Sequence, residues 1–164
     1  MADVDSFVTA RPEYDGRYLG SVLAQGAALH FVNGITGVKD LDVWSFFAAI
    51  PGTGRSGWVK FPADRRHVTA DFGPSSLGRQ RYNMADATTP TMARRYAIWS
   101  QYEGRRVDLL VRPSPVALGT PLARSVEAWL ATGTTSASML ARKPIVGLQP
   151  ARQRGRILYQ PEVL

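Results

Sequence analysis

The chain has 164 residues, 45% of them apolar, enough for one compact domain with a core and too many for a disordered chain. It has no cysteine, which excludes a disulfide framework and a thiolate metal site, and no run approaches the roughly 18 apolar residues of a membrane span. The formal charge of +7 comes from 20 basic and 13 acidic residues, and 17 of the basic ones are arginine. Arginine's planar fork of donors suits phosphate and biases such a chain toward polyanions; an arginine-rich proteome gives the same composition with no such partner.

The first residues, "MADVDSFVTARPEYDG", read as a polar lead-in with at most a helical turn. They lack the basic start and apolar middle of a secretory leader, so a cytoplasmic location is expected. "GSVLAQ", 20–25, reads as a buried strand and "GAALHFVN", 26–33, as a short helix ended by Asn33 and Gly34. "KDLDVWSFF", 39–47, alternates and is rich in Val, Trp and Phe, which favours a strand. "PGTGRSG", 51–57, is a loop; it lacks the GK[ST] ending of a phosphate-cradling P-loop. "WVKF" and "RHVTADF" are two further strands, 73–92 is loop-like, and "ARRYAIWSQYEG" fits helix or strand.

"RRVDLLVR", 105–112, reads as a strand with Val107, Leu109 and Val111 on one face and Asp108 on the other. "PLARSVEAWLATG", 121–133, and "SASMLARK", 136–143, read as helices, the second stopped before Pro144. The stretch 150–164 is a basic tail with Arg152, Arg154 and Arg156. The whole is read as one domain of α/β (α+β) class, a mixed sheet with flanking helices, and 119–164 as a small helical C-terminal layer.

The chemistry is concentrated in Asp40-x-Asp42. Residues i and i+2 of a strand share a face, so two carboxylates lie side by side while Leu41, Val43 and Phe47 are assigned to the core. Adjacent carboxylates repel, and a divalent ion between them resolves the conflict; Mg²⁺ accepts a few carboxylates together with phosphates and water. Asp108 interrupts its apolar strand in the same way. Should strands 39–47 and 105–112 be neighbours, three aspartates form a cluster able to hold two metals. The alternative is an exposed strand edge, with Asp108 paired to Arg105 or Arg106.

With these residues in place, "VLAQGAALHFVNGITGVKDLDV" and "GRRVDLLVR" resemble a nucleotidyltransferase of the DNA polymerase β superfamily, and in form its stand-alone bacterial members, which include abortive-infection-type toxins. The resemblance spans about residues 18–112. It implies a nucleotidyltransferase-like core that moves a nucleoside monophosphate from an NTP to an acceptor hydroxyl. Asp40, Asp42 and Asp108 would be the catalytic and metal-binding residues with two Mg²⁺ ions. Gly26 and Ala27 would hold the triphosphate, with Ala27 standing where the family has Gly or Ser, and Lys143 would correspond to the family's triphosphate lysine. Candidate acceptors are tRNA, a protein or a small molecule, and an antitoxin protein is a candidate partner. A second reading is a catalytically inactive module that binds nucleotide or RNA.

Other features carry less. His30 reads as core packing and His67 as part of a basic strand, so a histidine triad or zinc site is not expected. Asp71 sits in a kinase-like "DFG" without the accompanying kinase motifs. Ser75, Ser76 and Arg79 read as solvated turn residues or a phosphate loop, and Trp44 and Trp58 as core.

Overall fold

The computed structural model describes residues 5, 8, 9, 11–36, 38, 40–50, 67–70 and 105–162, and of Asp40, 67–70 and 105–109 the backbone alone. The expectations for "PGTGRSG", "WVKF", 73–92, "ARRYAIWSQYEG", Trp58, Asp71, Ser75, Ser76 and Arg79 lie outside these residues.

Strand β1 (Tyr18–Ala24) leads directly into helix α1 (Gln25–Asn33), and the chain returns as β2 (Asp40–Ala48). The helix is alanine-rich in its first half and ends at Gly34, whose left-handed backbone (φ 69°) lets its N–H reach the His30 carbonyl at 2.7 Å. His30 does not pack in the core. It is half-buried, and its Nδ1 lies 2.6 Å from the Thr36 carbonyl, tying the helix end to the following loop.

Strands β3 (His67–Ala70) and β4 (Arg105–Ser114) follow, then α2 (Leu122–Leu130) and α3 (Thr135–Leu140). Leu122, Ser125, Val126 and Trp129 form the buried stripe of α2 at the 3-4-7 spacing of an amphipathic helix. Thr134 caps α3 by accepting the Ala137 N–H at 3.2 Å. The C-terminal part therefore holds the two expected helices and, in addition, β5 (Ile145–Gln149) and β6 (Ile157–Tyr159). Residues 150–159 are a 3₁₀ turn and an edge strand where the sequence suggests a tail.

The six strands form one mixed sheet in the order β3-β4-β2-β1-β5-β6. The β2–β4 pair is parallel and the other four are antiparallel. The class is α+β, a mixed sheet with flanking helices. Among the described residues no helix is long and apolar enough to cross a membrane.

The larger core lies on the face carrying Val22, Ala24, Trp44 and Phe46, covered by Leu122, Val126 and Trp129 of α2 and Ala137 and Leu140 of α3. Trp129 meets Trp44 and Phe46 edge-to-face, with ring centroids 5.2 and 5.8 Å apart. Each fully buried side chain of this size contributes about 1.5–3 kcal/mol. The opposite face holds a smaller cluster of Tyr14, Phe47 and Val111, with Tyr18 beside it. Phe47 is fully buried there, whereas Leu41 and Val43 are only half-buried. The even-numbered positions of β2, which include Asp40 and Asp42, thus share the face of the main core. Assigning the core to Leu41, Val43 and Phe47 inverts the larger and the smaller faces.

Candidate functional site

The register brings the singled-out aspartates together at one end of the sheet. Asp42 of β2 is the Cα partner of Asp108 on the parallel strand β4. On its other side Asp42 pairs with Ala24, the last residue of β1, and Asp108 pairs with His67, the first residue of β3. One row across the sheet therefore reads Ala24–Asp42–Asp108–His67. Asp40, two residues earlier, stands opposite Arg106, and Arg106 opposite Thr69. Neighbouring strands are roughly 4.8 Å apart, so Asp42 and Asp108 stand in register as a like-charge pair, followed two rows on by the unlike pair Asp40 and Arg106.

The row ends against a helix N-terminus. Ala24, the cross-strand partner of Asp42, is also the N-cap of α1, and its methyl makes no cap hydrogen bond to the first-turn amides. Those amides carry the positive end of the helix dipole and suit an anion. Gln25, the first residue of α1, has a positive φ of 59°, uncommon for a residue with a side chain and a recurrent feature of functional turns. Gly26 and Ala27 follow in the first turn. Ala27 is buried, so its contribution to an anion is its amide. Lys143 lies three residues before Val146, which pairs with Leu23, so it stands at the same end of the sheet and is half-buried. The elements thus bring Asp40, Asp42, Asp108, Gly26, Ala27 and Lys143 to one edge.

Two further residues join the region. His67 occupies the row beside Asp108, a place set by non-local pairing that no local pattern reveals. Arg112, four residues beyond Asp108 on β4, lays its guanidinium over the Trp44 ring, 4.4 Å from the centroid, and donates from Nη1 to the Val111 carbonyl at 2.8 Å. Burial lowers its pKa to about 10, so it remains a cation at neutral pH, on the main-core face roughly 13 Å along β4 from the Asp108 backbone. The alternation of "RRVDLLVR" carried this signal, since Asp108, Leu110 and Arg112 share a face.

Carboxylate oxygens are the hard donors that Mg²⁺ and Mn²⁺ prefer, and two or three of them beside uncapped amides fit a cation that carries phosphate. Among the described side chains no group of three or more His, Asp or Glu gathers; the carboxylates of Asp40 and Asp108 lie outside that set. Comparison of the chain with protein-family models, curated proteins and solved structures gives no match.

Proposed function

We propose that the chain is a metal-dependent nucleotidyltransferase. The observation that carries this reading is the row in which Asp42 lies between Asp108 and the strand residue that caps α1. A carboxylate pair and an uncapped helix start are the complementary halves of a site for a metal–triphosphate. Asp40, Asp42 and Asp108 would hold two Mg²⁺ ions, which would supply charge neutralisation at the phosphates. The first-turn amides at Gly26 and Ala27 hold the β- and γ-phosphates, with Lys143 as a countercharge. Asp108 takes the proton of the acceptor hydroxyl. The acceptor oxygen then bonds to the α-phosphorus, the bond from that phosphorus to the bridging oxygen breaks, and pyrophosphate leaves.

The competing reading is a binding module without catalysis. It is favoured by Ala27, whose buried methyl stands where the resembling enzymes have Gly or Ser. The two are separated by incubating the protein with each α-labelled NTP, Mg²⁺ or Mn²⁺, and total RNA or lysate. Label in an acceptor, lost in Asp108→Ala, supports transfer. Label in no acceptor from any of the NTPs, with nucleotide still bound, overturns transfer and leaves the binding module.

A further inference from the structure

The longest stretch without an acidic residue is 128–161, which holds Arg142, Lys143, Arg152, Arg154 and Arg156: five cations and no carboxylate. Three of these cluster on the turn between β5 and β6. Arg152, Arg154 and Arg156 are all exposed, and among the described residues none of them is in an ion pair.

The turn that carries them is held firmly. Gly155 N–H donates to the Gly147 carbonyl at 2.9 Å and Gly147 N–H to the Arg156 carbonyl at 2.8 Å. Arg154 N–H bonds the Ala151 carbonyl at 3.1 Å. A side chain at Gly147 would collide with the Gln153 backbone, so the turn sits directly on β5. The arginines are thus displayed from fixed backbone, which lowers the ordering cost of binding.

An aromatic ring stands in the same place. Phe31 of α1 is 53% exposed although it is a large apolar side chain. Its Cζ lies 3.7 Å from where a Cβ on Gly155 would be, between Arg154 and Arg156 in sequence. Basic side chains around an exposed ring are the parts from which single-strand sites are made: cations follow the phosphates and the ring stacks a base. A second copy of this chain is disfavoured, because it would set the same uncompensated cations against each other.

We infer that Phe31 with Arg152, Arg154 and Arg156 forms a docking surface for a single-stranded nucleic acid. Along α1, Phe31 is five residues, roughly 7.5 Å, beyond Gly26. Under the transfer reading above, the docked strand is the acceptor or its flank. The docking itself does not depend on catalysis, so it is tested without metal or nucleotide.

The test is fluorescence anisotropy in EDTA with labelled RNA and DNA strands of about 12 nucleotides, the matching duplexes and anionic phospholipid vesicles, across a salt series. The triple variant R152Q/R154Q/R156Q should weaken single-strand binding and reduce the log–log salt slope by about 2, from roughly 0.7 per lost phosphate contact. Phe31→Ala and Phe31→Leu should each weaken binding roughly five- to a hundredfold at fixed salt with the slope retained. Both are surface changes. Arg124→Gln, which removes an exposed arginine paired with Glu127, should bind as wild type. Equal affinity of RNA and DNA strands places the recognition in phosphate and base stacking; a preference for RNA adds a contact to the 2′-hydroxyl, and either supports the surface. It is overturned if the triple variant or both Phe31 variants bind as wild type. It is equally overturned if Arg124→Gln loses as much, or if duplex or vesicles bind more tightly than single strands.

Discussion

Asp42 and Asp108 are Cα partners on neighbouring parallel strands, and the residue on the other side of Asp42, Ala24, is the cap of helix α1. A like-charge pair in register across two strands works against the sheet, by about 0.2–1 kcal/mol at a half-exposed site. A cation between the two strands would relieve that repulsion.

The stability of aspartate variants reads out that cost. Asp42→Asn keeps the shape and removes the charge, and with it both the repulsion from Asp108 and the hold on a cation. Thermal unfolding with and without Mg²⁺ should show a metal-dependent rise for wild type that the variant lacks. An equal metal-dependent rise in the variant would place the metal away from Asp42.

The turn on β5 should not tolerate a side chain. A methyl at Gly147 would meet the Gln153 carbonyl oxygen, which is backbone and has no rotamer to give. Gly147→Ala should therefore destabilise by about 1–3 kcal/mol, read as a lower urea midpoint. A midpoint equal to wild type would show that the turn moves off β5 at no cost.

Arg112 is a cation kept under cover. Its desolvation is a cost, offset in part by the Trp44 ring and the Val111 carbonyl. Arg112→Met fills a similar volume without the charge, so it removes the pH dependence that the buried guanidinium brings. Because burial lowers the arginine's pKa to about 10, the wild-type chain carries the full cost below that pH. From about 10 upward the unfolded chain holds this proton more firmly than the folded one, so the cost falls as pH rises. The difference in urea midpoint between variant and wild type should be flat from pH 6 to 9 and shift in favour of wild type above about 10. A difference that stays flat through pH 11 would show that the buried guanidinium does not titrate there.

Tyr14 and Tyr18 give the opposite sign. Burial raises both above the ordinary tyrosine value of 10.0, for Tyr14 with a smaller contribution from Glu13, and for Tyr18 against an opposing hydrogen bond to Ser21. The unfolded chain loses these protons first, so the stability they contribute is present below pH 10 and is lost as pH rises through the raised values. Tyr18→Phe should flatten the alkaline fall in stability while costing the 2.7 Å bond to Ser21 at neutral pH, about 1 kcal/mol. An alkaline fall unchanged in Tyr18→Phe would assign it to other groups.

Part of this arrangement is legible in the sequence, for physical reasons. The alternation of Asp40, Asp42, Trp44 and Phe46 fixes a strand and one of its faces. Gly34 marks the end of α1 because a left-handed residue is needed there. The spacing of Leu122, Val126 and Trp129 fixes α2. What escaped was non-local. "PIVGLQ" is a short apolar run behind a helix and "ILY" has only three residues, so β5 takes its place from pairing with β1, and β6 from pairing with β5, rather than from local preference. The core face of β2 was inverted because Trp44 and Phe46 meet α2 and α3, elements about 80 residues later. His67 acquired its place beside Asp108 only through register, and Arg112 its burial only through Trp44.

The most direct test of the carboxylate site needs no knowledge of the acceptor. Crystals grown with Mn²⁺ and a non-hydrolysable NTP analogue should give an anomalous peak bound by carboxylate oxygens of both Asp42 and Asp108, at about 2–2.3 Å, with the phosphates on the first-turn amides of α1. Manganese bound elsewhere, or nucleotide held away from α1 with no metal between Asp42 and Asp108, would contradict the account.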